Sequence, residues 1–547
     1  MSEAQPPSTI PTQFAATVAA RGECDAVAML AETVSYAELD QRSARLARAL
    51  LASGAGKGAR IALLAPDGIF WVTAFLAALR IGALVTCCST LCTPKELAHM
   101  LRNSDIQFFL GARRFLGHDY GEKLASAFPD IARGPDIARG KPNALLVEGA
   151  PYLRSVWLDD ARGLDWASSI GTLLARADRV PAELLIAVEA QVAPSDEAVI
   201  VYTSGSTSLP KAVIHTQWNV ARHPPELAKL FLIQPDDRML PMLPAFWLGG
   251  MAMALQVLSQ GACLVYPASP DHQVLLEAIE KLRVNRINGW GDGLARLRIL
   301  ATERGIDVDA IVGLGPFRDA RGELIPQQFQ SGMLGMSETF APHSAEPLNY
   351  RMPEGKPNAC GRPVNGYERR IVDPETGVEM PVGEIGELQL RGGALISGMY
   401  KRRREEVFTP DGFYPTGDLC RIDADDFLYF IARRGDMIKT RAANVSRLEV
   451  EAALNALPEV ATSVVTGLPD ADFGQIVAAA VLPVPGAAPT AESLRKALRE
   501  ELSSYKVPRR IVFITSADEI PRTATGKIKL HELGALILRR SVKETAR

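Results

Sequence analysis

Little in this 547-residue sequence points to a polyanion-binding, fibrous or exported protein. The formal charge is only −3, so there is no overall basic field to attract nucleic acid or an anionic membrane. Aromatic residues make up 6% of the chain and charged residues 22%, against 47% hydrophobic. With 44 glycines and 37 prolines the chain lies below the composition of low-complexity sequence, which excludes global disorder and fibrous repeats. The seven cysteines (Cys24, Cys87, Cys88, Cys92, Cys263, Cys360, Cys420) are odd in number, contain no Cys-x-x-Cys pair and lie in apolar surroundings. They read as reduced core thiols of a cytoplasmic protein, and the Cys87 to Cys92 cluster has no histidine spacing to make it a metal site. The first thirty residues have Glu3 and several prolines but no basic region before an apolar stretch, so no secretion signal is expected. No transmembrane segment is expected either. The longest uncharged stretch, Met239 to Pro270, is interrupted by Pro241, Pro244, Gly249, Gly250, Gly261 and Pro267, leaving a buried helix around Met251 to Leu258.

What is present is enough for three or four domain-sized units at about 150 residues each. Ser35 to Glu38, Thr93 to Glu96 and Ser446 to Glu449 each match the Ser/Thr-x-x-Glu capping box and predict helix starts. Leu39, Leu46 and Leu50 follow the first at helical period, Arg60 to Ala65 reads as a buried strand and Trp71 to Arg80 as a helix. Alternating strands and helices predict an α/β fold with parallel, helix-covered sheets. The hexapeptide Pro-Asp-Ile-Ala-Arg-Gly occurs twice from Pro129, too short to build a solenoid, and reads as a surface-loop duplication. The basic run Lys401 to Arg404 precedes Glu405 and Glu406; Arg402 is placed to pair with either on a solvated face.

Four segments carry chemistry. The apolar strand Ala198 to Tyr202 runs into Thr203-Ser-Gly-Ser-Thr-Ser-Leu-Pro-Lys211. Its small residues expose backbone N–H groups, its hydroxyls add donors and Lys211 adds a compact positive charge, a combination suited to polyphosphate. It is not a Walker loop, because Pro210 and Ala212 stand where that loop needs a glycine and a hydroxyl. In Gly335-Met-Ser-Glu-Thr339, Glu338 is a candidate Mg2+ carboxylate, with a helix-capping cluster as the structural alternative. Asp418 follows Thr416-Gly417, a turn that would present its carboxylate to ribose hydroxyls, and Arg433 comes fifteen residues later. Near the C-terminus, Lys527 follows Gly526 in Pro521-Arg-Thr-Ala-Thr-Gly-Lys527, a point charge free to swing into a site.

In order, and together with Val34 to Asp40, Val382 to Leu388 and Asp411 to Tyr414, these segments resemble the motif set of the adenylate-forming (AMP-binding) superfamily. The likeness spans nearly the whole chain and is greatest to acyl-CoA synthetases. It implies a large multi-subdomain N-terminal lobe at 1–434, a hinge at Gly435 and Asp436, and a small mobile α+β C-terminal lobe at 437–547. It also implies ATP, Mg2+ and coenzyme A as cofactor and co-substrates, and a two-step reaction through acyl-AMP. Thr203, Ser204, Gly205, Ser206, Thr207 and Lys211 would then hold ATP phosphates. Gly335, Met336, Ser337, Glu338 and Thr339 would line the nucleotide site, with Glu338 and Thr207 on the metal and Asp418 and Arg433 on the ribose. Lys527 would bridge the substrate carboxylate and the α-phosphate. After lobe rotation Lys439 and Asn444 would face the thioester site, with Ala442 on the coenzyme A path.

Several residues depart from that pattern. Ser208, Ala212 and Ala442 replace glycines, Leu334 replaces a tyrosine, and Trp247 stands where many acyl-CoA synthetases have histidine. The segment Pro244 to Gly250 contains no aspartate of the kind that amino-acid-activating relatives use to hold a substrate ammonium, which favours a plain carboxylic acid. Trp247, Leu248, Trp290, Met333 and Met336 are the candidate acyl-pocket residues. The expected activity is therefore ligation of a hydrophobic carboxylic acid to coenzyme A. The alternatives are an enzyme that stops at acyl-AMP or passes the acyl group to a carrier-protein thiol, and a non-catalytic nucleotide-binding homologue. The sequence leaves a homodimer open.

Overall fold

A computed structural model describes residues 8–133, 145–203, 210–289, 291–433, 437–440, 443–522 and 528–545. Two parallel-rich sheets build the N-terminal part. In the first, Arg286–Asn288, Arg238–Pro241, Cys263–Val265 and Asp25–Ala28 run parallel, and Thr33–Ser35 closes one edge antiparallel. The second is eight-stranded; its parallel run is Glu197–Thr203, Leu84–Cys87, Arg60–Leu64, Phe108–Gly111, Ser155–Leu158 and Ser168–Ser169.

The helix Ile69–Arg80 buries nearly every residue, with Trp71 stacked on Phe75, because one apolar cluster takes in both sheets. A helix apolar all round is stable only when covered on all sides. The uncharged stretch resolves the same way into strand Arg238–Pro241, buried helix Leu248–Ser259 and strand Cys263–Val265. A side chain at Gly250 would put Cβ 2.2 Å from the Pro244 carbonyl oxygen, so glycine permits that helix to start against its own entry loop. Among the described residues no helix is long and apolar enough to cross a membrane. All seven cysteines are free, six of them buried.

An antiparallel sheet, Glu368–Val372, Gly386–Arg391, Tyr414–Ile422 and Leu428–Arg433, precedes the C-terminal part. There a five-stranded sheet centred on Gly474–Pro483 packs with helices Arg447–Asn455, Ala491–Glu501 and Leu530–Thr545. Its two apolar clusters draw only on residues from Ile438 onward, so this part has its own core.

Two of the three capping boxes form completely, at Ser35 and Thr93. At Ser446 only half does: the hydroxyl accepts the Glu449 N–H, but the Glu449 carboxylate instead accepts from Lys506 Nζ at 2.9 Å. A buried ammonium outcompetes a neutral backbone donor for that carboxylate. The expected Arg402 pairing is also corrected, since Arg403 faces Glu406, and the local structure is a short 3-10 turn over Arg404–Glu406. The first hexapeptide copy forms a 3-10 turn over Pro129–Arg133, and the second lies outside the described residues.

Candidate active site

Strands Glu197–Thr203 and Lys211–Thr216 pair antiparallel with Thr203 opposite Lys211, so the candidate phosphate loop leaves one strand end and re-enters the neighbouring one. Both residues are half-buried at the rim. Ser204, Gly205, Ser206, Thr207 and Ser208 lie outside the described residues. Ala212 makes a regular cross-strand pair with Tyr202, and its methyl is buried beside Leu84 and Ile200. Nothing there requires a glycine, so that departure is ordinary strand packing.

Glu338 stands on a tightly built support. Strand Leu334–Met336 contains Gly335, where a Cβ would lie 2.6 Å from the Ala341 oxygen, so glycine is required for the hairpin to close. The chain then makes a 3-10 turn over Ser337–Thr339 and passes through Phe340 at φ 50° and Ala341 at φ 93°. Two consecutive non-glycine residues at positive φ cost of order 1 kcal/mol or more each, and are held only by surrounding contacts. Those contacts are visible. His215 Nε2–H donates to the Ser337 carbonyl at 2.7 Å, the Ile396 N–H to the Glu338 carbonyl at 2.9 Å, and the Tyr367 hydroxyl to the Thr339 carbonyl at 2.8 Å. The Glu338 side chain is 8% exposed, and its Oε1 accepts the Tyr414 hydroxyl at 3.1 Å. Oε2 has no hydrogen-bond partner among the described residues.

Behind this turn three imidazoles surround Phe340 and Tyr367: His215, His223 and His343. Burial pushes their pKa down, to about 4 for His215 and about 3 for His223 and His343, the last two also repelled by His215 and Arg369 respectively. They fold neutral and titrate near 6.5 when unfolded. Their stabilisation is thus complete above about pH 6.5 and is lost as pH falls, by about 1.4 kcal/mol per pH unit for each histidine until its folded pKa is reached. Buried Asp67, raised to about 6, works in the opposite sense, as do Glu197 and Glu449, which burial also raises, while burial lowers His99 and His118 in the same sense as the three. Urea unfolding followed by tryptophan fluorescence should therefore show a clearly lower midpoint at pH 5 than at pH 7.5. Equal midpoints would rule out neutral burial of the cluster.

Asp418 is not on a turn, contrary to the sequence reading. It lies within the nine-residue strand Tyr414–Ile422, where Gly417 at φ +73° forms a bulge against Gly386–Arg391. Thr416 Oγ1 donates to the Leu388 carbonyl at 2.7 Å and accepts the Asp418 N–H at 3.0 Å, while the Gly417 N–H donates to Glu387 Oε1 at 3.1 Å. These bonds fix the bulge, and Asp418, 6% exposed, lies opposite Arg433 in the ladder. Tyr414 opens the same strand, so its hydroxyl joins the Asp418 segment to the Glu338 segment.

Of the candidate acyl-pocket residues, Leu248 is buried in the core, Trp247 and Met336 are half-buried, Met333 is 45% exposed, and Trp290 lies outside the described residues. Trp247 is edge-on to Tyr505 of the C-terminal part, with ring centres 5.9 Å apart. Asp67 Oδ1 accepts the Ala245 N–H at 2.9 Å, tying down the loop that presents Trp247. Lys439 pairs with Asn444 in a hairpin, and its Nζ lies 4.7 Å from the centre of the Phe430 ring. Gly435, Asp436, Ala442 and Lys527 lie outside the described residues.

Sequence reasoning missed His215, Tyr367 and Tyr414. Only Tyr414 left a signal, because it lies inside a motif already singled out; the histidines resemble any core residue until the chain is folded.

The sequence pattern of the AMP-binding enzyme family matches residues 15–400, and that of the AMP-binding enzyme C-terminal domain matches residues 449–527. The chain is 29% identical over 544 residues to a 3-hydroxybenzoate–CoA ligase of Aromatoleum sp. (strain CIB), covering 95% of each. It is 27% identical over 525 residues to the fatty acid–[acyl-carrier-protein] ligase ScoC of Streptomyces coeruleorubidus, covering 92% of this chain and 91% of the other. Among solved structures, the amide bond synthetase McbA of Marinactinospora thermotolerans superposes with a TM-score of 0.75 at 23% identity, covering 96% of this chain and 99% of that one. That likeness establishes the α/β architecture with its small C-terminal domain.

Proposed function

The chain belongs to the AMP-binding enzyme family, and on that premise we propose that it joins a hydrophobic carboxylic acid to coenzyme A using ATP. In the first step a carboxylate oxygen of the acid attacks the α-phosphate. The bond to the β-phosphate breaks, pyrophosphate leaves and acyl-AMP forms. In the second, the thiol of coenzyme A attacks the acyl carbonyl, AMP departs and the thiol proton passes to solvent. Negative charge grows on phosphate oxygens in the first step, where fixed cations are most effective.

The observation that carries this reading is the built support of Glu338: one carboxylate oxygen fixed by Tyr414, the other without a partner among the described residues, on a turn held through its carbonyls. A single carboxylate of this kind fits Mg2+, which commonly takes only one or two protein carboxylates and would be held here by Glu338. Among the described residues no cluster of three His, Cys, Asp or Glu side chains forms an all-protein cage, which suits a metal that arrives with the nucleotide. When bound, Mg2+ would neutralise phosphate charge. Lys211 and the loop before it would hold the outer phosphates, Asp418 with Arg433 the ribose, and Lys527 the reacting carboxylate and α-phosphate. The domain boundary we assign falls at 434–437, with Gly435 and Asp436 as the hinge, and Lys439, Ala442 and Asn444 serving the thiol step. Relatives named for hydroxybenzoate favour an aromatic acid.

The likeness to an acyl-carrier-protein ligase motivates a second reading, in which the thiol belongs to a carrier protein. Mass spectrometry of products from ATP, Mg2+ and a panel of aromatic, alicyclic and fatty acids, with and without coenzyme A, separates the two. Acyl-CoA confirms the first. Acyl-AMP that persists with coenzyme A present but disappears onto a carrier protein selects the second, and no pyrophosphate with any acid overturns both.

A further inference from the structure

The eight-stranded sheet contains a topological switch point. From Arg60–Leu64 the chain runs to Leu84–Cys87 on one side and then crosses to Phe108–Gly111 on the other, all three strands being parallel. The connection that follows Phe108–Gly111 leads away again, to Ser155–Leu158. Connections that leave neighbouring strands in opposite directions open a crevice beyond the carboxyl ends of those strands, where open α/β sheets commonly receive ligands. A cavity of about 510 Å3 lies there. Pro66, Asp67 and Gly68 reach it from the end of Arg60–Leu64, Ala112 from the end of Phe108–Gly111, and Asp159 from the end of Ser155–Leu158. None of its lining residues belongs to the candidate active site. Its volume falls in the range of about 300 to 1,000 Å3 usual for small-molecule sites.

Most of the wall is apolar, with Leu46, Phe70, Ile170 and Leu174 among its side chains. The charged residues around it are Glu32, Arg42, Arg45, Asp67 and Asp159. Glu32 and Arg42 pair at 2.6 Å and neutralise each other. Asp159 Oδ1 accepts the backbone N–H groups of Arg113 at 2.6 Å and Asp160 at 2.7 Å. Arg45 is exposed, where solvent screens its charge. Asp67 is left short of donors: its Oδ1 accepts the Ala245 N–H at 2.9 Å, and its Oδ2 has no hydrogen-bond partner among the described residues. Burial accordingly pushes its carboxyl up to about 6. Cys87 and Tyr266, the other titratable groups close to it, are pushed up as well and stay uncharged. An ammonium would bring Asp67 both the donors and the opposite charge that its surroundings lack. An anion would meet that carboxylate with no buried cation to offset it.

We propose that this cavity binds a small organic cation, a primary ammonium on an apolar body, with the ammonium on Asp67 Oδ2 and the body against Leu46, Phe70, Ile170 and Leu174. Binding is then linked to the ionisation of Asp67. An alkyl ammonium keeps its charge from pH 5 to 7.5, whereas at pH 5 only about one Asp67 in ten has lost its proton, so affinity should fall about tenfold between pH 7.5 and pH 5.

The test is calorimetric titration of the full chain with phenethylammonium chloride and with 2-phenylethanol as its neutral counterpart, at both pH values. At pH 7.5 the ammonium is expected to bind about tenfold tighter than the alcohol or better. Asp67→Asn keeps an oxygen to accept from Ala245 and removes the charge. It should bind the ammonium about tenfold more weakly at pH 7.5 and lose the pH dependence; Glu32, Arg42, Arg45 and Asp159 remain in that variant, so a pH effect that vanishes belongs to Asp67. Ile170→Trp fills the cavity and leaves the Asp67 hydrogen bond in place, and should weaken both ligands; Leu174→Phe replaces it if it does not fold. Absence of saturable ammonium binding, equal affinity for ammonium and alcohol, or ammonium affinity unchanged by Asp67→Asn or by filling the cavity overturns the proposal. Neither ATP nor a carboxylic acid enters the measurement, so the cation site stands or falls separately from the proposed ligase activity.

Discussion

Replacing Lys527 by alanine is expected to slow adenylate formation by about 10²- to 10³-fold, the usual effect of removing one preorganised donor from a developing oxyanion. Thioester formation from supplied acyl adenylate should fall less than about tenfold. The difference follows from where charge appears: phosphorus acquires a fifth oxygen ligand only in the first step, and a fixed ammonium stabilises that state more than the ground state. The flanks of the Lys527 segment favour such a role. Arg522 bridges Ile528, and the Lys529 N–H donates to the Pro521 carbonyl at 2.9 Å, closing the segment at its base. Ile528 and Leu530 pack on the C-terminal core, so that base is anchored to the C-terminal domain. Pyrophosphate exchange measures the first half-reaction and release of AMP from supplied acyl adenylate the second. Comparable losses in both would remove Lys527 from its assigned step.

The second large effect belongs to Glu338. Glu338→Gln keeps the carbonyl that accepts from Tyr414 but removes the negative charge, so the turn should survive while the proposed cation ligand is lost. Adenylation is expected to drop about 10²-fold or more, and the Mg2+ concentration for half-maximal exchange to rise. Tyr414→Phe should cost less, about fivefold, because it deletes one hydrogen bond worth roughly 1 kcal/mol and leaves the charge in place. Exchange rates over a Mg2+ titration decide the matter. A Glu338→Gln enzyme within threefold of wild type at every Mg2+ concentration would show that the carboxylate serves only the turn.

Local signals in the chain translated directly into structure where the interaction that stabilises the element is itself local. The capping boxes at Ser35 and Thr93 connect residues three apart, and both form. The apolar run from Trp71 needed only a covered environment to become a helix, and the two flanking sheets supply it. The same logic failed where a distant group competed. Ser446 lost half of its capping box to Lys506, and the Thr416-Gly417 pair became a bulge because a partner strand lies alongside.

The composition, the helix periodicities and the order of the motifs by themselves determined that this is an α/β member of the adenylate-forming group, and they singled out Glu338 and Asp418. They carry that information because periodicity and motif spacing record interactions between near neighbours. Only the tertiary structure decided how those residues are held: Tyr414 on Glu338 across 76 positions, His215 on Ser337 across 122, and Lys506 on Glu96 across 410. Which of many buried tyrosines, histidines and lysines meets which distant partner is set by the packing of whole sheets and domains, and that packing leaves no periodic trace along the chain.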